Sequence, residues 1–157
     1  MTNRKILKQG LYNSKNEHDS CGVGFIANVH GKKSHRIVKQ GLEILTNLTH
    51  RGATGYDPKL GDGAGLLMQI SDPFFRTEAK NLNLNLPDNG YYGIGMVFLP
   101  QTKGKRAKCE SVISKIIKEE GQYEIGWRNV PVNNKDIALA ARDVEPVIKQ
   151  IIIGRNK

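Results

Sequence analysis

Residues 50–65 read HRGATGYDPKLGDGAG. Gly52, Gly55, Pro58, Gly61 and Gly63 punctuate the stretch so densely that no helix or strand can run through it. It is therefore a long loop, and the elements on either side define what it joins. Upstream, Val38, Gly41, Leu42, Leu45 and Leu48 recur at three and four, which predicts a helix with one buried stripe and Ser34 as its N-cap. Before that lie a turn at His30-Gly31-Lys32-Lys33 and an apolar run, Gly22 to Val29 (GVGFIANV), expected to be a strand. Gly22 and Gly24 in that run leave room for another backbone or side chain to approach closely. Downstream, Leu66 to Ile70 is expected to restart a strand.

The rest of the chain alternates in the same way. Ser71-Asp72-Pro73 opens a short helix, and Asn81 to Gly90 is a polar connection. Tyr91 to Leu99 (YYGIGMVFL) is a buried strand stopped by Pro100. Lys105 to Glu120 is an amphipathic helix with Cys109, Val112, Ile113, Ile116 and Ile117 inward and Gly121 closing it. Gln122 to Val130 alternates Tyr123, Ile125 and Trp127 as a half-exposed strand. A short helix over 134–142 and a last apolar strand, Pro146 to Ile153, complete the order. An α+β fold follows, a mixed sheet covered by helices. If the chain acts only by association, its last strand would offer an exposed sheet edge to another chain.

Composition narrows the function. The chain has 157 residues, 38% hydrophobic and 25% charged, which describes a folded domain. Two cysteines 88 positions apart exclude a disulfide scaffold and any CxxC metal or redox motif, so no metal site is expected. No run approaches the ~18–20 apolar residues of a membrane helix. The net charge of +9 is spread along the chain, and its densest cluster, Lys103 to Lys108, leads into a helix that also carries Glu110, Glu119 and Glu120. With only 6% aromatic residues, stacking platforms are scarce, and no nucleic-acid partner is expected. Gly61-Asp62-Gly63-Ala64-Gly65 precedes a strand, whereas a phosphate loop follows a strand and opens a helix. Nucleotide binding is rejected on that ground.

Cys21 stands where a polar leader, residues 1–20, meets the first apolar run. Two readings compete. A free cysteine at a strand start is often buried and inert. Alternatively, removal of residues 1–20 would make Cys21 an N-terminal nucleophile. A thiol of pKa ~8.5 needs a base at neutral pH. The freed α-amine, with pKa ~7.7–8.0, could serve as that base. Arg51 presents a fork of donors that can orient a polar substrate, and His50 is either a base or a helix cap.

Together, Cys21-Gly22-Val23-Gly24, a helix, His50-Arg51-Gly52 and Asp62-Gly63-Ala64-Gly65-Leu66 resemble the class II glutamine amidotransferases. That family begins its first strand with a mature Cys-Gly. An (H/Y)RG and an Asp-x-Ala-Gly motif follow its first helix. Most members place the Asp two residues after the RG. Here nine residues, 53 to 61, intervene, and this longer loop resembles the glutaminase domain of the large subunits of glutamate synthases. So do Pro73-Phe74-Phe75, Gly93 to Pro100 and Glu145 to Gln150.

The resemblance implies an N-terminal-nucleophile hydrolase fold with αββα layers, incomplete in this chain. It implies that residues 1–20 are a cleaved propeptide and that 21–157 are the front of the glutaminase domain. Cys21 would be catalytic and Arg51 substrate-binding, while Gly22, Gly52, Asp62 and Gly65 would support the pocket. L-glutamine would be the substrate, releasing ammonia for glutamate synthesis from 2-oxoglutarate. No cofactor is expected within residues 1–157. FMN and an iron–sulfur cluster would belong to downstream domains, with the rest of glutamate synthase and a small subunit or ferredoxin as partners. The setting would be cytoplasm or plastid. The family's Asn-Gly oxyanion pair has no counterpart here. Asn89-Gly90 precedes a strand that matches another part of the family, so little activity is expected of residues 1–157 alone. The alternative is a truncated, non-catalytic chain acting only by association.

Overall fold

A computed structural model describes residues 22–52, 57, 59–61 and 63–156. Its contacts divide the chain into two compact units, Met1–Leu66 and Leu67–Lys157. Cys21, Asp62 and the leader 1–20 lie outside the described residues.

In the first unit the organising element is α1, His35–Asn47. Ser34 is its N-cap, in extended backbone, but its hydroxyl makes no capping bond. The half-buried positions are Ile37, Val38, Gln40, Gly41, Ile44, Leu45 and Leu48, one stripe along the helix. Leu42, expected inward, is exposed, and Ile44 takes its place. A 3-10 turn, Thr49–Arg51, continues the chain beyond Leu48. Residues 22–28 form no strand, and Val23 and Phe25 are 88% and 90% exposed. The strand expected there is absent because backbone pairing, not apolar composition, makes a strand, and none of these residues has a ladder partner among the described residues.

The second unit is a sheet between helices. The expected strand at 66–70 is irregular as well, though Ile70 packs against the core. Helix α2, Asp72–Asn81, starts with Pro73 in its first turn. Strand β1, Tyr92–Leu99, leads to α3, Lys103–Glu119, and then to β2, Tyr123–Asn129. A four-residue α4, Leu139–Arg142, precedes β3, Val147–Gly154. The α3 C-terminus shows why Gly121 is there. Its φ of 70° is left-handed, and Gln122 N–H donates to the Ile117 carbonyl while Gly121 N–H donates to that of Lys118.

The strand order is β1-β3-β2 and both pairings are antiparallel, from Tyr92↔Gly154 to Leu99↔Val147 and from Tyr123↔Gly154 to Asn129↔Lys149. Two expectations are thereby corrected. The sheet is antiparallel rather than mixed, and the last strand is its centre rather than an exposed edge. The apolar run Ile151-Ile152-Ile153 explains this, since a strand covered on both faces and paired on both sides loses most by facing water. A register shift between Glu124 and Gly126 interrupts the alternation expected of β2. Ile125 joins the cluster around Ile152, whereas Trp127 pairs with Ile151 and so faces the other way.

Each helix is fixed to its face by both apolar and charged contacts. On one face, Phe75 of α2 packs with Tyr92 and Ile152, supported by Leu84, Leu86, Ile94 and Ile125. Arg128 there donates to Glu78 at 2.5 Å and to Gln150 at 3.0 Å, and lies over the Phe74 ring. On the other face, Lys149 donates to Glu110 of α3 at 2.7 Å, and Ser114 donates to Glu124. Ile117 is buried and Cys109 and Ile113 are half-buried, but Val112 and Ile116, also expected inward, are exposed.

Candidate active site

The stripe on α1 receives the chain segments that flank the sequence motifs. At Gly22 an added Cβ would stand 3.2 Å from Arg51 Cβ and 3.4 Å from Leu48 Cδ2. At Gly24 it would stand 2.6 Å from Ile44 Cγ2. At Gly41, within the helix, it would meet Leu66 Cδ1 at 2.8 Å. Gly41, Ile44, Leu48 and Arg51 follow one another by three, four and three, so they form a single line. Gly22, Gly24 and Leu66, the last at the exit of the long loop, all rest on it.

The predicted site residues are thus partly assembled. Gly22 and Arg51 are in contact. Arg51 sits in the 3-10 turn, its N–H donating to the Leu48 carbonyl at 2.8 Å. The side chain is exposed, and its guanidinium has no hydrogen bond or ion pair with a described residue. Gly52 ends the turn by donating to Thr49 O at 3.1 Å. Its backbone is extended, and a Cβ there would make only an ordinary contact with Thr49 O at 3.5 Å, so space does not demand glycine at this position. Gly65 is not brought to the others by contact: nothing stands within 4 Å of a Cβ built on it. His50 Nδ1 lies 2.9 Å from Asn47 O, which makes the ring a cap for the last turn of α1. Ile44 is the residue that the sequence reading missed. A β-branched residue four positions before Leu48 was the available signal.

Asn89-Gly90 has a local structural explanation. Tyr91 N–H donates to Asp88 O at 3.0 Å, and Gly90 has φ of 95°, the third position of a type II turn into β1. A cleft of about 390 Å³ lies where β1 begins and β3 ends, beside Tyr92, Gln122 and Arg155. It holds none of the predicted site residues.

The described residues hold too few thiolates for an iron–sulfur cluster. Their one cysteine is Cys109, half-buried on α3, whereas a cluster needs about four thiolates. Among the described residues no helix is long and apolar enough to cross a membrane.

Gly22 stands against the turn that carries Arg51 at the end of α1, and the family model for class II glutamine amidotransferases matches residues 21–157. The chain belongs to that family. It is 51% identical over 157 residues to the glutamate synthase [NADPH] large chain of Bacillus subtilis, a match covering 99% of this chain and 10% of the relative. It is 40% identical over 151 residues to the glutamate synthase [NADH] of Saccharomyces cerevisiae, covering 93% and 7%. With the ferredoxin-dependent glutamate synthase 2 of Synechocystis it shares 39% identity over 137 residues, covering 87% and 9%. The chain spans about a tenth of the length of these relatives.

Proposed function

We propose that residues 21–157 carry the nucleophile of a glutaminase domain within a glutamate synthase. After removal of residues 1–20, the α-amine of Cys21 takes the thiol proton. The thiolate adds to the side-chain amide carbon of L-glutamine, and the C–N bond breaks as the amine returns the proton to the leaving nitrogen. Ammonia departs and a glutamyl thioester remains. Water, deprotonated by the same amine, attacks the thioester, releasing glutamate and restoring the thiol. Arg51 offers its exposed donors to the glutamine, and Gly22 lets the Cys21 backbone sit close to them. In the full-length protein the ammonia is consumed in glutamate synthesis from 2-oxoglutarate, with electrons supplied through a small subunit or ferredoxin.

The observation that carries this reading is the seating of Gly22 on Arg51, which joins the Cys-Gly and His-Arg-Gly motifs through one contact. The test is covalent labelling of the full-length gene product with a diazoketone analogue of glutamine, followed by mass mapping. Label is expected on an N-terminal Cys21 and none in Cys21→Ser. Cys109→Ser should label normally and lose stability only, since that side chain lies half-buried on α3. Label on Cys109, or a mature protein retaining residues 1–20, would overturn the assignment.

A further inference from the structure

The contact between Gly24 and Ile44 is tighter than the motif contact beside it. Glycine at position 24 is not there for a left-handed backbone: among the described residues the glycines of positive φ are Gly31, Gly63, Gly90 and Gly121. Nor is it buried in a core, for its neighbours Val23 and Phe25 project into solvent. What excludes a side chain is one methyl group. A Cβ at position 24 would meet Ile44 Cγ2 at 2.6 Å, with Ile44 Cδ1 at 3.4 Å and Ile44 Cβ at 3.8 Å behind it. An ordinary contact needs about 0.8 Å more. Ile44 cannot yield that distance by turning. A β-branched side chain within a helix has one strongly preferred χ1, and Cγ2 is fixed by it. The segment would have to lift from α1 instead. By contrast, Leu66 Cδ1 opposite Gly41 is the far end of a flexible chain and can swing aside.

From this we infer that Gly24, through its seat on Ile44, is a positioning residue that sets the height of the nucleophile segment above Arg51. The inference rests on the proposed role of Cys21. Gly24 stands three residues from Cys21, and Gly22, already 3.2 Å from the Arg51 stem by the same measure, lies between them. Lifting position 24 therefore tilts the segment at the end that carries the thiol. A ~1 Å misplacement of a reacting group can lower a rate by about a hundredfold.

Glutamine hydrolysis by the full-length gene product decides the matter, using four proteins beside the wild type, each with its mature N-terminus and melting temperature measured. Gly24→Ala is expected to lower kcat by about ten- to a hundredfold with KM held. Gly24→Ala combined with Ile44→Ala, which removes Cγ2 and Cδ1, is expected to recover most of that loss. Gly24→Ala combined with Ile44→Val is not, because valine keeps the γ branch that obstructs. Rescue by alanine and not by valine is a pattern that a general loss of stability does not produce. Full activity in Gly24→Ala, equal rescue by both partners, no rescue by either, or an unprocessed N-terminus would overturn the inference. Cys21→Ser is the fourth protein. Hydrolysis surviving in it overturns the nucleophile reading and this inference together, whereas dependence on Cys21 with an indifferent Gly24 overturns this inference alone.

Discussion

Tyr92 ties β1 to α2 through one carboxylate. Its hydroxyl donates to Asp72 Oδ1 at 2.9 Å, while Arg76 Nε donates to Asp72 Oδ2 at 2.8 Å and a second Arg76 nitrogen to Pro87 O at 3.0 Å. Burial, and then the bond to Asp72, push the Tyr92 phenol up to about 12. An ordinary phenol loses its proton near pH 10. Between pH 10 and 12 the folded chain therefore holds a proton that the unfolded chain has released. Stability from this group is complete below pH 10 and is lost as pH rises toward 12, by up to about 2–3 kcal/mol. Urea denaturation across that range should show the loss in the wild type and a flatter profile in Tyr92→Phe. Parallel profiles would remove the phenol as the cause. The i,i+4 spacing of Asp72 and Arg76 was legible in the sequence, but their partner Tyr92 stands 20 positions from Asp72, and only the fold brings it there. Gly22 and Arg51 were singled out by their motifs, and that the two stand close together is likewise a result of the fold.

Among the elements, β3 bears the greatest load. Ile152 is fully buried, pairs with Ile94 on one side and Gly126 on the other, and packs with Phe75 and Tyr92. Ile152→Ala should cost about 2–5 kcal/mol in denaturant unfolding, the sum of lost transfer energy and a cavity that a central strand cannot collapse. Val112→Ala, at a residue half exposed on α3, should cost well under that and serves as the control. Sequence pattern, through periodicity, apolar runs and one helix-start signal, located α1, α2, α3 and all three strands of the sheet. It failed at residues 22–29 and 66–70, where apolar composition was present without a paired backbone. Nor could it place β3 at the centre of the sheet, because hydrophobic pattern reports burial and not the order of strands. The bulge in β2 was illegible for the same reason: Ile125 and Trp127 look alternate until the ladder with β3 is known.

At the scale of the molecule, Gly22 and Gly24 rest on the line of α1 and its following turn in the first unit, and the second unit is a sheet whose central strand is paired on both sides. What the family uses to stabilise the tetrahedral intermediate is a different matter. Its oxyanion donors belong to an Asn-Gly motif, and the Asn-Gly of this chain is occupied as a turn into β1. Attack by a thiolate on an amide places charge on the carbonyl oxygen, and removing one donor for that charge typically lowers kcat by about 10²–10³. Residues 1–157 expressed alone should therefore hydrolyse glutamine at least that much more slowly than the full-length gene product, even after Cys21 is exposed. A purified chain with its N-terminus at Cys21, assayed for ammonia release beside the full-length protein, measures this directly. Labelling of Cys21 with little turnover would separate the nucleophile from the oxyanion site. Equal rates would mean that the donors lie within these residues, and the backbone N–H groups of the 50–65 loop would be the first to substitute around.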